Sequence, residues 1–210
     1  MLIVKNLALT CGSSPLLRGV NFQVEKGEVL TLMGDSGSGK STLFSWMVGA
    51  LPEAFQASGE LWLADKRLDG LPTETRRVGI LFQDALLFDH FNVGQNLLLA
   101  LPSSVARQER RLKVETALES AGLDGFYSRD PATLSGGQRA RVALLRSLLA
   151  QPDALLLDEP FSGLDATLRD SFRAFVFSQI HQQNIPAVLV THDMADIPPE
   201  GRCLQLESWR

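Results

Sequence analysis

Four apolar runs in this chain end in the same way. VLTLM (29–33), VGILF (78–82), ALLL (154–157) and AVLVT (187–191) are nearly continuous in hydrophobic residues, the pattern of strands buried on both faces of a sheet. Each is followed at once by a residue suited to phosphate or metal chemistry. Gly34 and Lys40 follow the first, Gln83 the second, Asp158 and Glu159 the third, and His192 the fourth. In an open parallel sheet, ligands bind beyond the carboxyl ends of the strands, so four such endings predict one crevice. Strands that merely end in polar residues would account for one or two of these endings, but poorly for all four.

Between VLTLM and a helix predicted over 40–50 lies Gly34-Asp35-Ser36-Gly37-Ser38-Gly39-Lys40-Ser41-Thr42. It fits G-x-x-x-x-G-K-[ST] in the strand-loop-helix context which that pattern requires. The glycines let successive N–H groups turn inward around an anion, and the helix start adds the positive end of its dipole. Lys40 is expected to reach the β- and γ-phosphates of a nucleotide and Ser41 to ligate Mg²⁺. A Gly/Ser loop ahead of a helix is common; this glycine spacing joined to Lys-Ser-Thr is not. Asp158, at the mouth of its strand, is a second metal ligand, direct or through water. Glu159 lies one residue further out and is aimed differently, which makes it the candidate general base; the bland alternative is a solvated acidic pair ahead of Pro160. His192 is expected to hydrogen-bond the γ-phosphate, and Gln83 to contact the metal or the attacking water. A purely structural strand-end residue is the alternative for both.

The rest of the chain reads as α/β. LIVKNLAL (2–9), GVNFQV (19–24) and GELWLA (59–64) alternate as half-exposed antiparallel strands do, and CLQLE (203–207) is a further strand candidate. Helical patterns cover 40–50, 93–101, 104–121, 136–150 and 166–183. Residues 84–150 hold most of the helix and no convincing strand, so they read as a helical subdomain inserted between strands of one sheet, with Pro152 ending its last helix. At 210 residues, 45% of them hydrophobic, the chain suffices for one domain with its own core. A net charge of -4 and a pI near 5.4 leave no basic field, so no nucleic-acid partner is expected. Cys11 and Cys203 form no CxxC pattern, which signals neither a disulfide framework nor a zinc site and points to a reducing cytosol. The N-terminus MLIVKNLALT lacks a signal leader, and no apolar run approaches the roughly 18–20 residues of a membrane span. If the protein works at a membrane, another chain must supply the membrane part.

A second glycine pair stands in LSGGQ, Leu134 to Gln138. Ser135 and Gln138 have the spacing of a capping box opening a helix with Val142, Leu145, Leu148 and Leu149 on its apolar side. That does not explain Gly136 and Gly137, which in a first helical turn cost up to about 1 kcal/mol each against alanine. Close approach of an anion to bare backbone is the available physical reason.

LSGGQ, the phosphate loop, ALLLDEP, SGLD and TH, in this order, resemble the ATP-binding cassette (ABC) ATPase family over nearly the whole chain. The resemblance implies a P-loop NTPase core with a mixed sheet, an N-terminal antiparallel β-subdomain and an inserted helical subdomain. The core would be 1–83 and 151–210, the helical subdomain 84–150. It implies ATP and Mg²⁺ as ligands and hydrolysis of ATP as the activity. In that family Ser135, Gly136, Gly137 and Gln138 would contact ATP held at Gly34–Thr42 of a facing second cassette, here most simply a second copy of the chain. Ser162-Gly163-Leu164-Asp165 matches the loop linking the two sites, Gln83 the glutamine that senses the transmembrane partner, and His192 the γ-phosphate histidine. One departure concerns the aromatic that stacks on adenine after the first strand: Cys11 occupies that position, so either stacking is weaker, by on the order of 1 kcal/mol, or another group supplies it.

The phrase ILFQDALLFDHFNVGQN and the short single cassette resemble bacterial importer subunits, especially the compact thiamine importer type. That resemblance implies transmembrane permease subunits, an external substrate-binding protein in some systems, and a peripheral place on the cytoplasmic face of the inner membrane. Leu86, Leu87, Phe88 and Phe91 read equally as a groove for a permease helix or as the helical subdomain's own core. A soluble ABC ATPase acting on DNA, the ribosome or a protein assembly is the competing reading. Its relatives carry a long coiled coil or tandem cassettes, which this chain lacks. A regulatory module without turnover is disfavoured because Lys40, Asp158, Glu159 and His192 are all present.

Overall fold

In the computed structural model, which describes residues 1–35 and 37–210, two sheets carry the strands. Strands β1 (Leu2–Cys11), β2 (Ser14–Val24), β4 (Phe55–Leu63) and β5 (Lys66–Arg67) form an antiparallel sheet in the order β2-β1-β4-β5. Strands β3 (Val29–Met33), β6 (Val78–Leu81), β7 (Ala154–Asp158), β8 (Ala187–Thr191) and β9 (Arg202–Gln205) form a second sheet in the order β6-β7-β8-β3-β9. Its β7-β8, β8-β3 and β3-β9 ladders are parallel. The helices are α1 (Lys40–Val48), α2 (Thr73–Arg76), α3 (Val93–Leu98), α4 (Arg107–Ser120), α5 (Gly136–Leu149) and α6 (Ala166–Gln183).

The chain divides into two compact units. The first comprises Met1–Ile80, Asp153–Glu159 and Phe177–Arg210. Its core joins Leu43, Phe44 and Met47 of α1 to Leu7, Leu9 and Leu61 of the antiparallel sheet and to Leu30, Leu32, Leu156 and Val188 of the parallel one. Every residue of β3 and β8 is buried, as continuous apolar runs require. VGILF departs from that expectation. β6 is an edge strand with three of its four residues partly exposed, and Phe82 falls outside it.

The antiparallel strands run further than their alternation shows. A two-residue turn at Gly12 (φ 57°) carries the β1-β2 ladder on to Cys11 opposite Ser14, through a Ser/Pro stretch whose side chains give no period-2 signal. β4 likewise starts at Phe55 because it pairs with this extension, Phe55 facing Cys11 and Gln56 facing Thr10. Gly59 is fixed by close approach: a Cβ there would lie 2.6 Å from the Leu7 Cα, at φ 132°. CLQLE is a strand only to Gln205, after which Leu206–Trp209 form a 3₁₀ turn pinned by fully buried Leu206 and by Trp209 against Phe22.

The second unit comprises Leu81–Pro152 and Pro160–Val176. It contains α3, α4, α5 and the first part of α6, and residues 84–150 contain no strand. Buried Asn96 ties one loop down: its side chain accepts from the Phe88 N–H at 2.8 Å and donates to the carbonyls of Phe88, Phe91 and Asn92. A buried amide with every group paired is what makes such a polar residue affordable there.

Candidate functional site

The parallel ladders set three strand ends side by side. β3 runs into the phosphate loop, its neighbour β8 into His192, and β7, next to β8, ends on Asp158. Of the loop residues named from sequence, Gly34, Asp35, Gly37, Ser38, Gly39, Lys40, Ser41 and Thr42 lie in the first unit together with Asp158, Glu159 and His192. Ser36 lies outside the described residues.

The loop leaves polar groups unpaired among the described residues. Gly39, at φ 100°, is the N-cap of α1 and makes no side-chain cap, and no acidic residue stands in the first turn. The N–H groups of that turn therefore keep their affinity for an anion. The Ser38 hydroxyl is fully buried with no hydrogen-bond partner, which is costly unless a ligand atom meets it. Lys40 is only 8% exposed, and its ammonium donates to the Gly34 carbonyl at 2.5 Å and the Asp35 carbonyl at 2.9 Å.

Asp158 is half-buried, and burial holds its carboxyl above the ordinary carboxylate range, with the charge of Glu159 adding to this and Lys40 opposing it. A raised folded-state pKa means that this group favours the fold at low pH. The contribution is lost as pH rises from the ordinary carboxylate value through the raised one. At neutral pH the Asp158 charge is thus a cost in the nucleotide-free protein. Asp158→Asn should raise the nucleotide-free melting temperature by about 2–4 °C, read by calorimetry at pH 7, and flatten its dependence on pH.

Glu159 takes a left-handed backbone (φ 46°), uncommon for a residue with a side chain, and its N–H donates to the Val190 carbonyl at 2.9 Å. Its carboxylate lies 3.1 Å from Nδ1 of His192. The turn that presents His192 is braced from beneath: the buried Thr191 hydroxyl donates to Asp196 at 2.7 Å and accepts from the Asp193 N–H at 3.1 Å. A cavity of about 420 Å³ is lined by Gly37, Gly39, Lys40, Ser41, Thr42 and Glu159, with Leu16 and Phe55. Another, of about 500 Å³, opens at the amino ends of β7 and β8. There the Arg76 guanidinium is spent on backbone carbonyls and Arg77 pairs with Asp153 at 2.8 Å, so it carries none of this chemistry.

Sequence reading missed a brace on the loop. The Glu207 carboxylate accepts from the Asp35 N–H at 2.8 Å, which holds its carboxyl below the ordinary range, and Arg210 donates to the Gly37 carbonyl at 3.1 Å. A Cβ at Gly34 would come within 2.7 Å of the Ser38 hydroxyl and 2.9 Å of Glu207, so the first glycine of the motif is fixed by crowding. Reading CLQLE as strand to its end concealed this, because Glu207 then counts as an ordinary outward residue.

Gln83, Ser135, Gly136, Gly137, Gln138 and Asp165 lie in the second unit. Ser135 and Gln138 form the expected capping box, at 3.3 Å to the Gln138 N–H and 3.0 Å from the Ser135 N–H. The Asp165 carboxylate accepts from the Leu168 N–H at 3.0 Å, one turn into α6. Of the four apolar candidates, Leu87 is core, whereas Leu86, Phe88 and Phe91 are exposed. Leu86, Phe88, Leu99, Ala100 and Arg146 line a cavity of about 620 Å³, with the Arg146 guanidinium on the Leu86 carbonyl and over the Phe88 ring.

A model of the ABC transporter family matches residues 17–162. The chain belongs to that family. It is 62% identical over 209 residues to the uncharacterized ABC transporter ATP-binding protein YnjD of Escherichia coli (strain K12), covering 100% of this chain and 96% of that one. It is 39% identical over 198 residues to the thiamine import ATP-binding protein ThiQ of Haemophilus influenzae (strain 86-028NP), covering 94% and 90%. Among solved structures, the dimeric post-hydrolysis state of the ATP-binding cassette MJ0796 bound to ADP and Pi superposes with a TM-score of 0.76 at 28% identity, covering 93% of this chain and 90% of that one. The chain is therefore an ABC ATPase, the ATP-binding and ATP-hydrolysing subunit of an ABC transporter, with the α/β cassette fold that its motifs implied.

Proposed function

We propose that this chain powers import: two copies close around two ATP molecules and drive permease subunits at the cytoplasmic face of the inner membrane. The observation that carries the chemistry is the Glu159–His192 pair, 3.1 Å apart, at strand ends adjoining the phosphate loop. ATP would lie with its phosphates on Gly34–Thr42, and Lys40 would turn from the two loop carbonyls to the β- and γ-phosphates. Glu159 takes the proton of the attacking water as its oxygen bonds to the γ-phosphorus and the bond to the ADP oxygen breaks, while His192 steadies the γ-phosphate.

Mg²⁺ fits the donors present. Ser41 offers a hydroxyl and Asp158 a half-buried carboxylate, an oxygen-only pair that leaves the remaining positions to phosphate and water. The metal role of Gln83 rests on its motif alone. Bound there, the ion would neutralise charge on the β- and γ-oxygens.

Ser135, Gly136, Gly137, Gln138 and Asp165 are assigned to the facing copy's ATP, with 84–150 the helical subdomain that carries the first four. The dimeric cassette among the structural neighbours supports that arrangement. So do the two glycines: a Cβ at 136 or 137 would meet nothing nearer than 3.8 and 3.4 Å, which leaves neither glycine required within one chain. No helix among the described residues is long and apolar enough to cross a membrane, and the exposed Leu86, Phe88 and Leu99 offer a permease helix its seat. Import itself rests on similarity to ThiQ, and an external substrate-binding protein accompanies that reading.

The test is reconstitution. The chain, purified with the membrane protein that accompanies it and placed in liposomes, should hydrolyse ATP several-fold faster than alone and move solute toward the side bearing the cassette. Stimulation by DNA or ribosomes, with none by the membrane partner, would instead establish a soluble ABC ATPase.

A further inference from the structure

The cavity beside the phosphate loop has a lining of two kinds. Gly37, Gly39, Lys40, Ser41, Thr42 and Glu159 are the loop and polar residues, and Leu16 and Phe55 are apolar. The two kinds adjoin at Gly39, which packs on β2: a Cβ there would sit 3.1 Å from Leu16 Cγ and 3.4 Å from Leu17 Cγ. A cavity of about 420 Å³ lined both by phosphate donors and by an aromatic residue suits a ligand that joins a polyphosphate to a flat apolar ring.

Phe55 is held in that lining by its backbone. It is the first residue of β4, its N–H donates to the Pro52 carbonyl at 2.9 Å, and its Cα partner across the β1-β4 ladder is Cys11. Directly opposed residues of an antiparallel pair project to the same face of the sheet. The small, exposed Cys11 therefore leaves the half-buried Phe55 ring uncovered on its own face.

We propose that Phe55, backed by Leu16, is the platform on which the nucleotide base stacks, so that β4 supplies the aromatic contact which β1, with Cys11, does not. The platform rests on the assignment of ATP to the phosphate loop. It also sets specificity: stacking on a phenyl ring reads no hydrogen-bonding edge, every base has a π-face, and adenine and guanine nucleotides should bind alike within a few-fold.

Calorimetric titration of the full chain with ATP and with inorganic tripolyphosphate, which has no base, tests this. Phe55→Ala should weaken ATP about five-fold or more and leave tripolyphosphate unchanged, while Phe55→Tyr should stay within about two-fold of the unaltered protein. Unchanged ATP affinity in Phe55→Ala, or a parallel loss for tripolyphosphate, would overturn the platform. Lys40→Ala separates the two assignments. It should weaken both ligands, and if it weakens neither, the phosphate site itself is misplaced and the platform falls with it. A defect in Lys40→Ala beside normal ATP binding in Phe55→Ala rejects the platform alone.

Discussion

Glu159→Gln should lower steady-state phosphate release by at least about 100-fold while ATP binding persists, and gel filtration in ATP should show a dimer that the unaltered protein forms only transiently. General-base catalysis contributes roughly 10²–10⁴-fold, and an amide of the same shape removes only the basic oxygen. The surroundings predict little collateral damage. Gln tolerates the left-handed backbone at 159 about as well as Glu, and it can still pair with Nδ1 of His192. Binding should persist or gain, because the substitution removes one negative charge from the lining of the cavity that would hold the phosphates. Normal turnover in this variant would remove Glu159 as the base and leave the Glu159–His192 contact as a structural pair.

The readable part of this protein was the part in which chemistry and strand burial coincide. VLTLM, ALLL and AVLVT are nearly continuous in apolar residues because β3, β7 and β8 are covered on both faces, and the residue that ends each run marks the strand's carboxyl end. Only that end can host a ligand in a parallel sheet, so locating the strands located Lys40, Asp158, Glu159 and His192. What failed to show was set by pairing rather than by pattern. The extension of β1 to Cys11 depends on a turn at Gly12 and on a partner 44 positions downstream, Phe55, and neither leaves a periodic trace. Glu207 was hidden for the same reason: its role comes from a 3₁₀ turn, placed by Leu206 and Trp209, that brings the end of the described chain to Asp35. VGILF reads like its sister strands, yet lies at the sheet edge, because an apolar run carries no information about how many neighbours cover it.

Ser135→Phe should abolish ATP hydrolysis, by a factor on the order of 10², without weakening ATP binding to the monomer. Two costs must be told apart. The serine hydroxyl caps α5, and losing it takes about 1 kcal/mol from the helix, enough to shift a melting temperature but not to unfold the chain. Ser135→Asn keeps a capping oxygen with little added bulk and should recover that stability, which isolates the second cost. That cost is steric: Ser135 and Gly136 are exposed in one chain, and a benzyl group there fills space that a facing copy's triphosphate would enter. Misplacing reacting groups by about 1 Å is enough for a 10²-fold loss. The decisive measurement pairs calorimetric ATP affinity at concentrations where the chain is monomeric with turnover at concentrations where it dimerises. Intact affinity with lost turnover places LSGGQ on another chain's nucleotide. A matching loss of monomer affinity would mean that each chain completes its own site, and the bare backbone at Gly136 and Gly137 would then have to be explained within a single chain.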